Sequence, residues 1–364
     1  MLSVALSSDI FEIQRFGGVS RYFVKLAESL TAENLTHVEI ATRTHINSFL
    51  FNSNLNRGTY LPFSPSRLAL GKAISRINAD YSRNISSKFK FAIRHETFYK
   101  GGQNNLSAKK SVTTVHDLIR EKYTPGWGGF QSKKNSLELA DAVICVSQNT
   151  ANDLMEFYQI ADDKVFIIPH GVSSEFFEEC KSLEERMFEP ALLFVGSRDG
   201  YKNFTTLIEA FSNSSFLKDN FVVFVIGSRF TKDEELLMRR LSVRQNFKYK
   251  GNKQSSLLKA IRSCIALVNT SSYEGFGLPV LEAMASECLV FSTRAGSLGE
   301  VGGGNDFEFP ALDAVALATR IEGVLANQDL MRKTLSNGRL HAATFSWTKT
   351  ARLTANLYQG LLNS

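Results

Sequence analysis

The chain has 364 residues, of which 43% are hydrophobic and 21% charged, and its formal net charge is +6. This length and apolar content exceed what one hydrophobic core usually supports, so they predict two globular domains and exclude a disordered chain. The first thirty residues lack a charged segment followed by a long apolar core, and no apolar run approaches the roughly 18 residues of a membrane span. We therefore expect a cytoplasmic protein. The cysteines are widely separated and none forms a C-x-x-C pair, which favours ordinary buried thiols: Cys145, Cys180, Cys264 and Cys288.

The first half of the chain contains short apolar, β-branched runs separated by helix-compatible segments such as SRYFVKLAESL. The runs are LSVALS, VEIATR, FAIRH, SVTTVH, AVICVS and VFIIPH. Strand-like runs that alternate with helical segments indicate βαβ units and a parallel sheet. We assign residues 1–171 to this first α/β domain.

An acidic, irregular stretch at residues 172–190 reads as a linker, and the alternation then resumes in ALLFVG, FVVFVIG, FKYKG, CIALVN and CLVFST. Residues 191–345 form the second domain in this interpretation. The predicted fold class is α/β, with two doubly wound Rossmann-like domains. In such sheets ligands bind beyond the carboxyl ends of the strands, so the polar residues that follow the apolar runs are the candidates for a site.

Basic residues are concentrated between residues 64 and 100, where only Asp80 and Glu96 oppose them. Two interpretations stay open: contact with an anionic membrane surface, or a solvated loop and helix face. No helix-turn-helix, zinc-finger or aromatic RNP motif is present, so we expect no nucleic-acid partner. The cations of this segment are Arg67, Lys72, Arg76, Arg83, Lys88, Lys90, Arg94 and Lys100.

Candidate binding residues follow several of the predicted strands. In the first half, Gly17 and Gly18 open a helix after the first strand, and His116 ends SVTTVH. In the second half, the loop GSRDGYKN after ALLFV begins at Gly196 and supplies two cations, Arg198 and Lys202. Taken singly, the glycines are explained as a bend, the histidine as a capping or core residue and the cations as a solvated pair.

The segment SSYEGFGLPVLEAMA places two glutamates eight positions apart around a glycine-rich turn. CIALVN upstream predicts a strand, and Pro279 suits the first position of a helix, so the segment reads as strand, turn and helix. Glu274 then lies in the turn and Glu282 in the first helical turn, while backbone amides approach the helix end, which binds anions. The alternative is that Glu282 only complements the helix dipole. The amides in question belong to Phe276, Gly277 and Leu278.

Together these groups fit a nucleotide sugar. A cleft between the two domains would be lined by a helix mouth, two cations, two carboxylates and a histidine. Cations suit a diphosphate, whereas carboxylates accept hydrogen bonds from ribose and hexose hydroxyls.

The motif EGFGLPVLEAMA, with its E-x7-E spacing, closely resembles the signature of retaining glycosyltransferases of family four, which have the two-domain GT-B fold. The resemblance extends along the chain through QRFGGVSRYF, TTVHDLI, AVICVSQNTANDL, IIPHGV, FVGSRDGYKNFTTLIEAF and FSWTKTA. It implies an N-terminal acceptor domain, a C-terminal donor domain, and a last helix, about 346–364, that packs back on the first domain. The forms QRFGGVSRYF and VGSRDGYKN are similar to bacterial enzymes that build surface polysaccharides, often mannosyltransferases that use GDP-mannose.

By this resemblance, Glu282 holds the donor ribose and Glu274 holds the transferred sugar together with the turn amides. Lys202 and Arg198 neutralise the diphosphate, and His116 lies beside the sugar. The remaining donor-binding residues are Gly17, Gly18 and Gly196. The resemblance implies retention of the anomeric configuration, and the chain has no D-x-D pair to hold a divalent ion. We therefore expect no metal and no cofactor, with charge stabilisation coming from cations and helix-end amides.

The expected partners are a nucleotide sugar and a glycan or lipid-linked acceptor, and a lipid-linked acceptor at the inner face of the cell membrane would explain the basic segment. Two departures from the family pattern stand out. After LEAMA the chain continues Ser286-Glu287-Cys288-Leu289 where the family commonly has Gly and Pro, and the two cations are four positions apart. Other functions remain open, namely a catalytically silent GT-B subunit and a nucleotide-sugar enzyme such as an epimerase. A nicotinamide dehydrogenase is disfavoured, because neither half contains G-x-G-x-x-G after its first strand.

Overall fold

The computed structural model divides the chain into two compact units, Met1–Gly171 with Ser346–Ser364, and Val172–Phe345. Each unit is an α/β body built on its own parallel sheet. The structure describes residues 2–62, 68–100, 105–178, 189–198, 200–251, 254–303 and 308–363.

The first unit is built on a six-stranded sheet of order β2-β1-β5-β6-β7-β8, in which every neighbouring pair is parallel. Val4 of β1 is opposite Val38 of β2 on one side and Ile93 of β5 on the other. The strands are β1 Leu2–Leu6, β2 Thr36–Ile40, β3 Thr44–His45, β4 Thr59–Tyr60, β5 Phe91–Glu96, β6 Ala108–Val115, β7 Ala142–Cys145 and β8 Val165–Ile167. The helices are α1 Asp9–Ile13, α2 Gly18–Ala32, α3 Ser48–Phe51, α4 Leu68–Lys88, α5 Ile119–Tyr123, α6 Phe130–Leu139 and α7 Gln148–Tyr158.

The second unit has a five-stranded parallel sheet of order β11-β10-β9-β12-β13. Its strands are β9 Glu189–Gly196, β10 Val222–Gly227, β11 Phe247–Gly251, β12 Cys264–Asn269 and β13 Leu289–Ser292. Its helices are α8 Phe204–Asn213, α9 Ser215–Asn220, α10 Lys232–Arg240, α11 Gln254–Ser263, α12 Leu278–Ala285, α13 Leu298–Val301, α14 Ala314–Leu325 and α15 Gln328–Ala342. The sheet is buried because helices cover its faces, which is why its strands are nearly continuous apolar runs.

The last helix, α16 Trp347–Asn363, belongs to the first unit. It packs against α2, and Trp347, Ala351 and Tyr358 join the buried cluster that contains Val4 and Leu26. The hydroxyl of Tyr358 also hydrogen-bonds Nδ1 of the buried His95 on β5, at 2.6 Å. An apolar stripe on α16 therefore completes the core of the first unit.

All the strands expected from the apolar runs are present, and a short pair, β3 and β4, is added to them. Cys145, Cys264 and Cys288 are buried thiols, as expected, whereas Cys180 is outside the described residues. Among the helices that the structure describes, none is long and apolar enough to span a membrane.

Candidate functional site

The glycine-rich turn between β12 and α12 has a left-handed residue at its centre. Gly277 precedes the helix with φ 91°, a conformation that glycine adopts at little cost. The helix begins at Leu278, so Pro279 is its second residue rather than its first. Glu282 is consequently the fifth helical residue, in the second turn, and not in the first turn as the sequence indicated. Strand, turn and helix are as predicted, and the helix starts one residue earlier because the left-handed glycine ends the turn.

Glu274 lies in this turn, almost buried, and its Oε1 accepts from three donors. The ammonium Nζ of Lys202 is 2.6 Å away, and the side chains are 15% and 10% exposed for lysine and glutamate. Ser271 Oγ donates at 2.8 Å and Asn269 Nδ2 at 3.3 Å. Two of the predicted site residues, 72 positions apart in sequence, thus meet at the carboxyl ends of β9 and β12.

The two strand-end loops that carry this ion pair are also joined by hydrogen bonds to backbone carbonyls. Thr270 Oγ1 donates to the carbonyl of Lys202 at 2.6 Å, and the amide of Ser272 donates to the carbonyl of Tyr201 at 2.7 Å. Asn203, in the left-handed conformation with φ 47°, donates through Nδ2 to the carbonyl of Thr270 at 3.2 Å. The position of Lys202 against the carboxylate is therefore fixed by the fold around it.

A third loop, which follows β13, holds the backbone of Glu274. Both the amide and the hydroxyl of Ser297 donate to the Glu274 carbonyl, at 3.1 Å and 3.0 Å. Gly296 has φ 63°, and a Cβ there would come within 2.6 Å of the same carbonyl oxygen. Sequence reasoning missed Ser297 and Gly296, although the polar run STRAGS after CLVF carries the same strand-end signal as the other loops.

The far end of α12 is built without the glycine that the family pattern has there. Glu287 occupies that turn with φ 51°, the left-handed region that costs a non-glycine residue about 1–2 kcal/mol. Its carboxylate lies 4.0 Å from Nε of Arg339. Glu282 is 2% exposed on the same helix. The turn after α12 is thus made by a non-glycine residue in a strained backbone conformation. The helix before it holds the side chain of Glu282 in the interior of the second unit.

Arg198 is not placed as an exposed cation. Its side chain is 3% exposed, and Nε lies 2.7 Å from the carboxylate of Glu234. Its other nitrogens donate to the carbonyls of Ser228 and Arg229, and its guanidinium lies 5.5 Å from the ring centroid of Phe204. Through these contacts Arg198 holds the loop after β9 against the loop after β10. Lys202 is the cation that contacts the turn containing Glu274.

Gly196 ends β9 with φ 130° beside Gly227, which ends β10 with φ 153°. A Cβ on Gly227 would come within 2.1 Å of the Gly196 carbonyl oxygen. The two strand ends approach so closely that glycine is required, and this approach sets the path of the loop that leads to Arg198 and Lys202.

The other predicted residues lie in the first unit. Gly17 precedes α2 and Gly18 is its first residue, exposed at the helix end; the segment before them contains the short helix α1. The side-chain Oε1 of Gln14 accepts from the amide of Ser20 at 2.9 Å and so satisfies part of that helix end.

His116 follows β6 and is surrounded by aromatic rings. Its Nδ1 is 3.4 Å from Nε2 of His170, and its ring centroid is 4.9 Å from that of Tyr22 and 5.8 Å from that of Phe23. Burial, and second to it the charge of Lys133, lowers the pKa of His116 to about 3. The imidazole is therefore neutral at physiological pH, with one nitrogen a donor and the other an acceptor.

The basic segment is less uniformly exposed than its sequence suggested. Arg94 lies 3.4 Å from Glu96, with its side chain 19% exposed. Lys100 binds the buried Asp9 at 2.7 Å; burial works against its charge, but the nearby carboxylates prevail and raise its pKa. Residues 63–67 and 101–104, including Arg67, are outside the described residues. Within the described ranges, no cluster of three or more His, Cys, Asp or Glu side chains could hold a metal ion.

Two protein families match adjacent parts of this chain. The model described as Glycosyltransferase Family 4 matches residues 16–176, and that described as Glycosyl transferases group 1 matches residues 175–341. The chain belongs to the family four glycosyltransferases.

Similar proteins include a serotype-specific mannosyltransferase, WbdA, from Escherichia coli, 28% identical over 278 residues that cover 70% of this chain and 34% of WbdA. The chain thus spans about a third of the length of that curated relative. Among solved structures, sucrose-phosphate synthase from Thermosynechococcus elongatus is 23% identical, with a TM-score of 0.75 and 100% of both chains covered. HepE from Anabaena, in complex with UDP and glucose, is 14% identical, with a TM-score of 0.77 and coverage of 99% and 100%. These structures show the GT-B fold for this family member.

Proposed function

We propose that this protein is a retaining glycosyltransferase that moves a hexose from a nucleotide sugar to a glycan or lipid-linked acceptor. The observation that carries the proposal is the contact of Lys202 with Glu274 at the N-terminal end of α12, with Glu282 further along the same helix. A cation, a carboxylate and helix-end amides, brought together from two neighbouring strand-end loops, match the charges and hydroxyls of a nucleotide sugar.

The donor half of the reaction uses these groups in different roles. Glu282 accepts hydrogen bonds from the ribose hydroxyls, and Glu274 accepts from hydroxyls of the transferred sugar. The amides of Phe276, Gly277 and Leu278 contribute partial positive charge. Each charge-assisted hydrogen bond of this kind is worth about 1.5–3 kcal/mol.

Bond breaking puts negative charge on the leaving phosphate. The bond between the anomeric carbon and the phosphate oxygen breaks through an oxocarbenium-like transition state, and the acceptor hydroxyl oxygen bonds to the same face of that carbon. The acceptor proton passes to the departing phosphate oxygen. Lys202 stabilises that oxygen, and because its charge lies in a sheltered turn, the stabilisation exceeds that of an exposed cation. No step needs a metal ion.

Neutral His116 is a suitable group beside the sugar, because a neutral imidazole donates or accepts a hydrogen bond without repelling an oxocarbenium ion. The likeness to a serotype-specific mannosyltransferase favours mannose as the hexose, and the likeness to an O-antigen chain mannosyltransferase favours an acceptor in surface-polysaccharide synthesis. We propose GDP-mannose as the donor and the cytoplasm as the place of the reaction.

A panel of nucleotide sugars, with a mannosylated oligosaccharide as acceptor, tests the proposal. We expect GDP to be released from GDP-mannose, the product linkage to keep the anomeric configuration of the donor by NMR, and turnover to survive EDTA. Loss of turnover in EDTA with recovery in Mg²⁺ or Mn²⁺ would contradict the metal-independent mechanism. An isomerised nucleotide sugar would indicate an epimerase, and nucleotide binding without turnover a silent subunit.

Two matched variants test the role of α12. Glu282→Gln should weaken nucleotide-sugar binding by about tenfold or more, since a charge-assisted bond to ribose becomes a neutral one. Glu287→Gln, in the turn that follows the same helix and 4.0 Å from Arg339, is the control and should bind as the wild type does. If calorimetry gives the two variants equal affinities for the nucleotide sugar, Glu282 does not bind the ribose.

We further propose that the exposed face of α4 rests on an anionic membrane when a lipid-linked acceptor is used. Leu70 is 37% and Ile77 46% exposed on this helix. Lys72, Arg76 and Lys88 are exposed on the same helix. Apolar side chains flanked by cations suit the boundary of an anionic bilayer.

Charge reversal of these three cations should release the protein from vesicles that contain anionic lipid at low salt. Reversal of three exposed cations on the second unit, Lys232, Arg240 and Lys248, is the control and should leave binding intact. Equal pelleting of the two triple variants would assign the face of α4 to solvent.

A further inference from the structure

A buried ion pair lies beneath the loop that carries His116, and no part of the proposed reaction uses it. Lys133 on α6 is 2% exposed, and its Nζ lies 2.7 Å from Oε1 of Glu121 on α5. The same ammonium donates to the carbonyl of Asp117 at 3.0 Å. Asp117 is the residue directly after His116.

Three aromatic rings surround the ammonium. Nζ of Lys133 lies 4.9 Å from the ring centroid of Tyr99, 5.8 Å from that of Tyr158 and 5.9 Å from that of Trp127. Ring faces at these distances attract a cation, most strongly when water is excluded. The hydroxyl of Tyr158 donates to Glu121 Oε1 at 2.6 Å, so the carboxylate is held from two sides. The ammonium has one well-defined position.

Contributing to stability alone does not explain such a pair. Removing two charges from water costs hydration free energy, and their mutual attraction barely offsets that cost. A protein with well-packed apolar side chains of the same volume in their place is often as stable. What an apolar side chain lacks is a donor for the Asp117 carbonyl. That hydrogen bond fixes the peptide between Asp117 and Leu118, one residue beyond His116, and so restrains the loop from which the imidazole extends.

The polar contact of the imidazole with His170 couples the tautomers of the two rings. Nδ1 faces Nε2 of His170 at 3.4 Å, while Nε2 of His116 is buried without a hydrogen-bond partner among the described residues. Because both rings are buried and neutral, a hydrogen bond between them needs a proton on only one of the two facing nitrogens, so the tautomer of His116 is coupled to that of His170. A small rotation of the His116 loop would lengthen the distance between His116 and His170, and the tautomers of the two rings would then no longer be coupled.

We propose that Lys133, held by Glu121, is a positioning residue that orients His116 and fixes its tautomer through the Asp117 carbonyl. The consequence for catalysis rests on the proposed function, in which His116 lies beside the sugar. The orientation itself does not, since it is a property of the protein without substrate.

The test is the ¹⁵N spectrum of the histidine rings at pH 7 in the full chain, with His116 assigned by its loss in His116→Gln. We expect one tautomer of His116 in the wild type. The double variant Lys133→Met with Glu121→Gln removes both charges and the donor at once, and we expect a mixture of tautomers. Lys133→Gln with Glu121→Gln restores an amide donor without charge and should return the spectrum toward a single tautomer.

The chain supplies a matched control. Lys122 on α5 and Asp153 on α7 form an ion pair at 2.6 Å between helices of the same region. Lys122→Met with Asp153→Asn should leave the His116 spectrum unchanged. If the Lys133→Met double variant gives the same His116 spectrum as the wild type and the control, the ion pair of Lys133 and Glu121 has a structural role only. The same conclusion follows if His116 is already a mixture of tautomers in the wild type. Should the methionine variant fail to fold, the glutamine variant decides: a tautomer mixture in it also overturns the role of the donor.

A second readout uses turnover. In the methionine double variant, kcat should fall at least tenfold while the KM for the nucleotide sugar changes less than threefold, because His116 is expected to act on the sugar. If the spectrum changes as expected and turnover does not, the positioning of His116 stands and its place in the proposed reaction is wrong.

Discussion

Replacement of Lys202 by methionine removes the ammonium that Glu274 contacts at 2.6 Å and leaves the rest of the turn in place. Removal of one partner from a fully buried ion pair costs about 3–5 kcal/mol. Here the two side chains keep 15% and 10% exposure, and Glu274 Oε1 retains Ser271 and Asn269 as donors. We therefore expect a smaller loss, about 2 kcal/mol in the free energy of unfolding of the second unit.

Thermal and urea unfolding measure this loss. For a unit of this size, about 2 kcal/mol corresponds to a fall in Tm of about 4–8 °C. The double variant Lys202→Met with Glu274→Gln completes a double-mutant cycle. Because a neutral amide replaces the orphaned carboxylate, the double variant should be more stable than Lys202→Met alone, with a coupling energy of about 1–2 kcal/mol.

The reasoning is refuted if Lys202→Met unfolds within about 0.5 kcal/mol of the wild type, or if the cycle shows no coupling. Steady-state kinetics of Lys202→Met give a second test that does not depend on the unfolding measurements. Lys202 acts chiefly as the phosphate departs, so kcat should fall more than binding. A raised KM with an intact kcat would assign Lys202 to ground-state binding instead.

Three further changes test other parts of the structure. Glu287→Gly should raise the unfolding free energy by about 0.5 kcal/mol, because relief of the left-handed strain exceeds the entropy cost of glycine; a lower urea midpoint would contradict the strain. Arg198→Met should lower the urea midpoint by breaking the contact with Glu234, with less than about a threefold change in GDP affinity; strong loss of GDP binding at unchanged stability would return Arg198 to the diphosphate. Burial lowers the pKa of both His95 and His116 to about 3, so the unfolded chain binds more protons below pH 6.5. Stability should be complete above pH 6.5 and fall by about 2–5 kcal/mol by pH 4.5, and a flat profile between these values would show that the rings are charged in the folded state.

The sheets could be predicted from sequence because a strand buried on both faces is a continuous apolar run, a signal contained in neighbouring residues. The strands β3 and β4 have two residues each, too short to produce such a run. The start of α12 was misplaced by one residue because Pro279 is acceptable at either of the first two positions, and the deciding feature is the φ of Gly277.

The partners of charged residues could not be predicted in the same way, because each pairing joins distant parts of the chain. Lys202 and Arg198 look alike in GSRDGYKN, yet one contacts Glu274 and the other Glu234. Lys133 and Lys134 are neighbours on α6, and one side chain is 3% exposed while the other is 40%. Since α6 has few apolar residues to define an inner face, its sequence gives no sign of which lysine is buried.

The same argument changes what the basic segment implies. Counted in sequence, it offers eight cations to a membrane, but Arg94 and Lys100 face carboxylates of their own unit and Arg83 pairs with Asp80. Of the seven cations in the described part of the segment, Lys72, Arg76 and Lys88 remain exposed on α4, and Lys90 is exposed just after it. At about 1 kcal/mol for each cation near an anionic surface, these four supply about 4 kcal/mol rather than the roughly 7 that all seven described cations would supply. Such an attraction is strong at low ionic strength and weak once the Debye length falls to about 8 Å at physiological salt. Binding through α4 therefore requires the exposed apolar side chains, Leu70 and Ile77, to contribute as well, and replacing both with serine should abolish the part of vesicle binding that salt does not remove.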